Sequence, residues 1–497
     1  MSKINRDITA AANEKYDLII IGGGIHGAML ALEAGLLGKQ ALLLEKDDFN
    51  GATSWNHLRT IHGGLRYLQS FDLPRYFESV AERRWFLANF PALVEVLPCL
   101  MPLYGRGLKR RSIMGAAMLL NDTLSLGRNR GLAPAQRLAN GKIVNRRFTA
   151  EAFPQVDGNG LQAGALWYDG AVPEHQRLFM EILRWACALG ATALNYVQAE
   201  SLLEHNSQVR GVLAVDRESG SRPEFRAAVV INAAGPWCRQ LAQKFDRDYP
   251  KLFRKNLLLF NILFKRKALS EYALALTPSH RQPHTYFIHN WKNRMLAGTG
   301  EVLLEIENTN PLPQPEHIAA FIADMNDAIP DLDLSKKDIE HVYPGLLPTT
   351  RSGSQARREV IIRHGDHGGP AGLFSVSGAK YTTARYVAER SLRLIFPDVR
   401  RPKSPLPPAE ANSGRGCFAY DWNPEAAGPE TLASIRALIE AEAVVHLDDF
   451  LLRRCGLGEN RRQVMKLLPF LRPLFSWNDL RWQQESSRLH TLLQKQP

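Results

Sequence analysis

The chain has 497 residues, of which 45% are hydrophobic and 23% are charged, with 37 glycines and 29 prolines. This composition is typical of a globular protein and excludes disordered and fibrous classes, and the length favours a multi-part enzyme over a small binding module. Five scattered cysteines without a Cys-x-x-Cys pair exclude a disulfide framework and a cysteine zinc site. We therefore expect no metal and a reducing, cytoplasmic compartment. The longest apolar runs, such as residues 257–264, are about half a membrane span, so no transmembrane helix is expected.

The net charge of +12 is unevenly distributed along the chain. Residues 101–150 contain ten basic residues and one acid, and residues 451–497 contain nine basic and three acidic residues. A patch of one sign attracts anionic lipid, nucleic acid or a charged substrate. The alternative is a solvated basic face that keeps the protein in solution.

The predicted elements begin with a buried strand, a helix and a second strand in quick succession, at 16–21, 28–37 and 40–45. Apolar spacing predicts further helices over 82–93, 106–126, 175–189 and 378–394, and strands over 193–197, 211–215, 227–232 and 372–377. Alternating apolar segments separated by Pro, Gly and Asn predict an antiparallel sheet within 250–345. A Pro-rich linker at 397–408 precedes a helical segment at 429–493.

The glycine motif that follows the first strand predicts a dinucleotide site. Gly22 permits the tight turn, Gly24 lets the backbone approach a pyrophosphate, and Gly27 lets the helix lie close to the sheet. The N-terminus of that helix offers unpaired N–H groups to phosphates. Glu45 ends the second strand and is placed to accept hydrogen bonds from an adenosine ribose.

Four further blocks resemble the FAD-dependent glycerol-3-phosphate dehydrogenases, which belong to the D-amino-acid-oxidase-like flavoproteins. The blocks are Ala52–Ser54, Ile61–Leu68, Ala234–Trp237 and Ser377–Thr383. The resemblance covers roughly residues 16 to 400 in the same order and implies FAD as the cofactor. The fold class it implies is α/β (α+β overall), with a Rossmann-like FAD domain, an antiparallel-sheet substrate cap and a helical C-terminal domain. The expected boundaries are 1–85, 155–245 and 346–400 for the FAD domain, 86–154 and 246–345 for the cap, and 405–497 for the helical domain.

The resemblance also implies which residues hold FAD. They are Gly22, Gly23, Gly24, Ile25, Gly27, Glu45, Thr53, Ser54, His62, Gly63, Gly64, Ala234, Gly235, Gly378, Ala379, Lys380 and Thr382. The two glycines after His62 would let the backbone approach the flat ring. Lys380 and a helix N-terminus capped by Thr382 or Thr383 would stabilise the anionic reduced flavin. The alternatives are an ordinary turn for the glycines, a solvated surface charge for Lys380 and a satisfied buried histidine for His62.

Three residues are expected to act on the substrate. Arg66 matches a family arginine associated with the substrate phosphate, because forked guanidinium donors bind two oxygens; the alternative is a surface ion pair. Arg358, or its neighbour Arg357, matches a family arginine near the flavin. His289 falls on a segment over the flavin and is suited to accept a substrate proton, with a surface or core histidine as the alternative. Asp169 is left without a role.

Two departures from the family pattern concern the pocket. Leu258 stands where the family has its active-site histidine, and Leu347 stands in place of an anion-binding arginine. Losing a buried partner to a phosphate typically costs about 2–5 kcal/mol. These changes leave open an alternative function, in which the family fold serves an oxidase or tailoring enzyme for a non-phosphorylated amine or hydroxy substrate.

The expected reaction is hydride transfer from a CH–OH or CH–NH carbon of a small-molecule substrate to flavin N5. Reoxidation by a membrane quinone and by dioxygen both stay open. The two basic segments would suit contact with anionic lipid at the inner face of the membrane. A homodimer is a further open expectation. A protein that uses FAD structurally and binds RNA or DNA is the third interpretation, but the chain lacks a recognisable nucleic-acid module, so no nucleic-acid partner is expected.

Overall fold

The computed structural model describes residues 3–105, 107–245, 256–279, 284–304, 312–349, 359–378, 380–402, 406–407, 429–456 and 461–494. The strands are β1 Lys15–Ile21, β2 Ala41–Leu44, β3 Thr60–Ile61, β4 Glu95–Leu103, β5 Lys142–Asn145, β6 Ala163–Ala171, β7 Thr192–Leu194, β8 Val197–His205, β9 Gln208–Asp216, β10 Glu224–Asn232, β11 Asn256–Phe264, β12 Ala273–Leu276, β13 Tyr286–Trp291, β14 Arg294–Leu304, β15 Ile339–Pro348, β16 Val360–Arg363 and β17 Leu373–Ser377. The helices are α1 Ile8–Asn13, α2 Ile25–Leu36, α3 Leu65–Leu68, α4 Leu73–Asn89, α5 Arg111–Leu124, α6 Arg146–Ala152, α7 His175–Ala188, α8 Cys238–Phe245, α9 Pro315–Ala328, α10 Ala384–Ile395, α11 Pro429–Ala441, α12 Arg461–Leu471 and α13 Asp479–Gln494.

The first sheet has the strand order β16-β17-β10-β1-β2-β7, and the hairpin β8–β9 joins it at β10. Strand β1 pairs in parallel with β2 and β10, and β10 pairs in parallel with β17. Helices α2, α7 and α10 cover one face, and α1 and α8 lie on the other, so both faces are apolar. The carboxyl ends of β1, β2, β10 and β17 meet at one edge, which is where a ligand binds in sheets of this kind.

The second sheet has the order β15-β11-β14-β13-β12-β4-β6-β3, with β5 paired to β6. Its pairs within 256–348 are antiparallel, which confirms the sheet predicted from the alternating apolar segments. Helix α9 covers one face of this sheet. The opposite face lies against residues 53–58, where Thr53 Oγ1 bonds the backbone of Leu346 and Asn261 Nδ2 donates to Asn56 O.

Two details differ from the sequence prediction. Strands β3 and β6 pair in the second sheet, although residues 1–85 and 155–245 were expected to belong to the cofactor domain. The reason is that β6 is a long strand that lies between β4 and β5. Helix α4 begins earlier than predicted, because the Asp72 side chain accepts a hydrogen bond from Arg75 N and Pro74 occupies the first turn.

The helices after residue 429 form a unit with its own apolar core. A π-helix at Asp449–Arg454 precedes α12 and contacts α7 of the first sheet's layer. Among the described helices, none is both long enough and apolar enough to span a membrane.

Candidate functional site

The glycine motif forms a turn that no other residue type would fit. Gly22 has a φ of +116°, and a Cβ there would lie 2.7 Å from Ala233 O. A Cβ on Gly27 would lie 1.9 Å from Gly22 O. Ser54 Oγ accepts a hydrogen bond from Ile25 N at 3.0 Å, so Ser54 lies at the N-terminus of α2. This end of the helix is an anion-binding position by its dipole and its N–H groups.

Glu45 lies directly beside this turn. Its Oε2 accepts a hydrogen bond from Gly23 N at 2.6 Å, and its Oε1 accepts one from Asp47 N at 2.9 Å. Burial raises the pKa of the Glu45 carboxyl above its ordinary value. Asn50 N donates to Gly23 O at 2.9 Å, so the loop after Glu45, residues 45–51, is tied to the turn at both ends.

Two later segments meet at the same place. Ala234 and Gly235 follow β10, and the Ala234 Cα lies 3.1 Å from where a Gly22 Cβ would be. Gly378 lies against the first turn of α2, because a Cβ there would be 1.9 Å from His26 Nε2. The structure therefore brings four predicted segments together around one helix end. Ala379 and Arg358 lie outside the described residues.

The N-terminus of α10 differs from the prediction that a threonine side chain caps it. Helix α10 begins at Ala384 with Thr383 as its N-cap residue, and the Thr383 side chain makes no capping hydrogen bond. Thr382 is buried just before it. The expectation that one of these threonines caps the helix is therefore not met by Thr383.

Several buried polar atoms in or next to the predicted cofactor segments have no hydrogen-bond partner among the described residues. They are His26 Nε2, Asn50 Oδ1, His57 Nε2 and Tyr381 Oη. An unsatisfied buried donor or acceptor costs about 1–3 kcal/mol, so a set of them at one place calls for a polar occupant. A glycine cradle, a helix N-terminus and a ring of unmet polar atoms fit the phosphates and ring edges of a dinucleotide such as FAD.

A buried carboxylate orients one of the predicted residues. Asp169 Oδ1 accepts hydrogen bonds from Gly63 N at 2.7 Å and Arg83 Nη1 at 2.9 Å, and His62 Nδ1 donates to Oδ2 at 3.1 Å. Burial raises the pKa of Asp169, but His62, Arg83 and Gly63 N outweigh it and lower the pKa to about 2. The His62 side chain is 42% exposed, and its Nε2 has no hydrogen bond to the described residues. A carboxylate that fixes one imidazole nitrogen leaves the other able to accept a proton.

Gly63 and Gly64 lie against side chains of α4. A Cβ on Gly63 would lie 2.0 Å from Arg83 Nη1, and one on Gly64 would lie 2.8 Å from Ser79 Cβ. Both glycines therefore make room for side chains of α4, and Gly64 also has a positive φ of +86°. Contact of their backbone with the flat ring stays a prediction.

Three cationic side chains gather at Tyr67. Lys380 Nζ lies 4.0 Å from the centre of the Tyr67 ring, and the Arg75 guanidinium lies 4.2 Å from it. Burial, with the charges of Arg75 and Arg66, lowers the pKa of Lys380 to about 7, although Glu78 opposes them. Arg66 is exposed and makes no ion pair with a described residue, and Lys380 is half-buried, so Lys380 is not the solvated surface charge of its alternative interpretation. The role of Arg66 stays a prediction. Such a cluster favours an anionic ligand.

His289 does not face open space. It is buried, its Nε2 lies 2.8 Å from Leu58 O, and its Nδ1 lies 3.2 Å from Asn290 O. Burial lowers the pKa of His289 to about 4. These contacts match the alternative of a satisfied core histidine, and they leave neither ring nitrogen available to a substrate proton. The prediction of His289 as the base is therefore not supported.

The two leucines that depart from the family pattern lie on opposite faces of the second sheet. Leu347 shares a face with Gly345, where a Cβ would lie 3.1 Å from Thr53 Cγ2. Leu258 shares a face with Phe260, whose ring packs 5.6 Å from that of Phe321 in α9. Leu258 is therefore directed away from residues 53–58, and the expectation that it makes the pocket apolar is wrong.

Asp169, Arg83 and Arg75 were missed as site residues from the sequence. Asp169 is a carboxylate within the otherwise apolar strand β6, which is the one local signal that could have pointed to it. Arg83 and Arg75 lie on α4, and their pattern is that of an ordinary amphipathic helix.

A glycine turn and a helix N-terminus at the carboxyl edge of a parallel sheet, with a second sheet packed on residues 53–58, are typical of a dinucleotide-binding enzyme. The sequence model of the family described as FAD dependent oxidoreductase matches residues 17–390, and the chain belongs to this family. It is an FAD-dependent enzyme, as predicted from the resemblance.

The chain is similar to glycerol-3-phosphate dehydrogenases. It is 30% identical over 421 residues to the glycerol-3-phosphate dehydrogenase of Synechocystis sp., covering 81% of this chain and 74% of that protein. It is 27% identical over 398 residues to the aerobic glycerol-3-phosphate dehydrogenase of Staphylococcus haemolyticus, covering 80% and 70%. The crystal structure of the glycerol-3-phosphate dehydrogenase from Bacillus halodurans complexed with FAD has the same fold, with a TM-score of 0.73, 22% identity, and coverage of 98% and 96%.

Proposed function

We propose that this enzyme oxidises a small phosphorylated polyol of the glycerol 3-phosphate type at its carbinol carbon. The observation that carries the proposal is the buried Asp169–His62 pair, with His62 Nε2 unbonded among the described residues. The names of the similar dehydrogenases and the cationic cluster at Tyr67 support the substrate class.

We propose a division of the chain that follows the two sheets except at three strands. Residues 1–85, 155–245 and 346–400 form the FAD domain, 86–154 and 246–345 form the cap, and 405–497 form the helical domain, with β3, β6 and β15 crossing to the cap sheet. We assign the FAD contacts to the glycine turn, Glu45, Thr53, Ser54, Ala234, Gly235 and the turn after β17. The contacts around the N-terminus of α2 support this assignment.

In the proposed mechanism, bound FAD supplies the acceptor for the hydride. His62 takes the proton of the substrate hydroxyl through Nε2 while the C–H bond breaks. Asp169 holds the imidazole in the tautomer that donates from Nδ1, and it stabilises the imidazolium that forms. Lys380, Arg66 and Arg75 hold the phosphate and so orient the carbinol carbon.

The cationic cluster also decides between substrate classes. Leu347 lies on the cradle side and removes one arginine of the family pattern, which by itself favours a less anionic substrate. Lys380 and Arg66 supply other cations for an anionic substrate, and neither makes an ion pair with a described residue. We therefore place the phosphorylated polyol ahead of the amine or neutral hydroxy substrate.

Anaerobic mixing of the FAD-loaded enzyme with substrate tests the proposal. Glycerol 3-phosphate should bleach the flavin absorbance rapidly, and glycerol at the same concentration should leave it almost unchanged. Rapid bleaching by an amine or a neutral hydroxy acid, with none by glycerol 3-phosphate, would contradict the proposal.

An exposed apolar surface with a basic rim supports a membrane-facing, cytoplasmic location. Its exposed apolar side chains are Phe71, Leu73, Phe77, Ile113, Leu119, Leu120 and Leu126. Helices α4 and α5, which carry most of them, are joined by the Tyr76 hydroxyl, which donates to Asn121 O. Arg110, Arg111 and Arg130 are exposed in the same part of the chain. Apolar anchors beside cations suit the interface of an anionic bilayer.

We propose that the exposed apolar side chains of residues 71–77 and 113–126, with Arg110, Arg111 and Arg130, contact anionic lipid at the inner face of the membrane. A membrane quinone would then reoxidise the flavin. In the second basic segment, Arg453 and Arg454 are held at Asp48, so contact of this segment with lipid would depend on its other basic side chains. Sedimentation with phosphatidylglycerol vesicles, and not with phosphatidylcholine vesicles, is the expected result. Light scattering of the purified enzyme checks the predicted homodimer.

A further inference from the structure

The C-terminal helices contact the loop that follows Glu45. Arg454, at the end of the π-helix, donates to both oxygens of Asp48, with Nη1–Oδ2 and Nη2–Oδ1 distances of 2.6 and 2.8 Å. The two side chains are 0% and 1% exposed. Asn195 Nδ2 donates both to Asp48 Oδ1 and to Ala443 O, so a third residue joins the same two elements.

Asp48 belongs to the loop of residues 45–51, which is hydrogen-bonded to the glycine turn. Glu45 accepts from Gly23 N, and Asn50 N donates to Gly23 O. Asp48 lies between these two contacts. A Cβ on Gly51 would lie 3.4 Å from Arg453 Nε, so the end of the loop also lies against the C-terminal unit.

A second buried pair joins the same two units and meets Arg454 but not the loop itself: Arg177 Nη1 donates to Arg454 O at 3.3 Å, and Arg454 Nε donates to Glu442 O at 3.0 Å. Arg177 of α7 donates to both oxygens of Glu442, at 2.8 Å each. These side chains are 4% and 5% exposed, so the pair matches Arg454–Asp48 in burial and geometry. The family match ends at residue 390, so Glu442 and Arg454 both lie beyond it.

We infer that Arg454 is a positioning residue for the FAD site, and that the C-terminal unit controls FAD retention by fixing the loop of residues 45–51. This inference rests on the proposed placement of the FAD adenosine at Glu45. Without Arg454, the Asp48 carboxylate would be a buried charge without its main partner, and the loop would have to move to hydrate it. That movement would carry Glu45 and Asn50 away from Gly23.

The test compares Arg454→Met with Arg177→Met in the full-length protein. Each variant removes one guanidinium from an equally buried pair, so each weakens docking of the C-terminal unit to a similar extent. Apoprotein is titrated with FAD to obtain Kd, and hydrogen exchange is measured over residues 45–51 in the apoprotein. Arg454→Met should raise the FAD Kd about 5- to 150-fold, the usual range of coupling between sites, and should speed exchange in the loop. Arg177→Met should change neither by a comparable amount.

Equal increases in Kd for both variants would overturn the inference, because they would show a merely structural role of docking. An unchanged Kd for Arg454→Met would overturn it as well. If Arg454→Met does not fold, Arg454→Lys keeps the charge but loses the two-point contact, so it should still raise the FAD Kd above that of Arg177→Met. A Kd for Arg454→Lys equal to that of Arg177→Met would overturn the inference. Failure of the proposed reaction is seen separately, as FAD-loaded wild-type enzyme that glycerol 3-phosphate does not bleach.

Discussion

Replacing Asp169 by Asn tests the proposed role of His62 most directly. The Asn side chain has the same shape, and its oxygen can still accept from Gly63 N and Arg83 Nη1. Its amide group would then face His62 Nδ1 as a donor, so the imidazole would take the tautomer with its proton on Nε2. That nitrogen could no longer accept a proton from the substrate. The perturbation therefore removes the base without emptying the site.

Two magnitudes follow from the contacts. Loss of general-base catalysis lowers the rate by about 10²- to 10⁴-fold. The Arg83 guanidinium, at 5% exposure, also loses its charged partner, and breaking a buried pair costs about 3–5 kcal/mol of stability. Because the pKa of Asp169 is about 2, its stabilising contribution is present above the ordinary carboxyl pKa and is lost as the pH falls towards 2. The variant should lack this part of the acid sensitivity.

The assay is the anaerobic rate of flavin reduction by glycerol 3-phosphate in a stopped-flow instrument, with stability measured in parallel by urea unfolding. Asp324→Asn is the matched control, because Asp324 is a buried carboxylate that accepts from the Tyr286 hydroxyl at 2.5 Å under α9. The control should lose stability and keep its reduction rate. A reduction rate of Asp169→Asn equal to that of the wild type would refute the base role of His62.

Three other predictions follow from the same contacts. Because the pKa of Lys380 is about 7, KM for glycerol 3-phosphate should rise as the pH rises through 7. Lys380→Met should raise KM and flatten this pH dependence. An unchanged KM for this variant would exclude contact of Lys380 with the phosphate. Burial lowers the pKa of His341 to about 4, so below pH 6.5 the unfolded chain binds a proton that the folded protein does not. The free energy of unfolding should therefore fall as the pH falls from 6.5 towards 4. His341→Phe should make this fall with pH less steep, as measured by urea unfolding at several pH values. Leu126→Asp should abolish sedimentation with phosphatidylglycerol vesicles while flavin reduction is kept, because Leu126 is 82% exposed, and retained binding would exclude this surface.

The parallel sheet and its glycine turn could be predicted because their signals are local. An apolar strand, a glycine turn and a small-residue helix are contiguous in sequence, and the structure has β1, α2 and β2 where the pattern indicates them. Glu45 and Gly22 are equally local, since one ends a strand and the other begins the turn. The antiparallel sheet was predicted from alternation, but its membership was not, because β3 and β6 come from distant parts of the chain.

The contacts of the proposed catalytic residues could not be predicted in the same way, because they join elements distant in sequence. His62 and Asp169 are 107 residues apart, and Arg83 reaches the same carboxylate from a helix. The choice of His289 failed for a related reason. An imidazole on a strand looks the same in sequence whether its nitrogens face a pocket or, as here, the carbonyl oxygens of Leu58 and Asn290.

The number of charged residues in a segment likewise does not predict where their side chains lie. The two basic segments look alike in sequence, but the structure uses them differently. In the C-terminal segment, Arg453 and Arg454 lie at Asp48 and Arg488 pairs with Asp448. These three guanidinium groups therefore pair with buried carboxylates. In residues 101–150, Arg110 and Arg111 are exposed next to the exposed apolar side chain of Ile113. The net charge of a basic segment therefore does not say whether its cations meet solvent or buried acids, because that depends on elements distant in sequence.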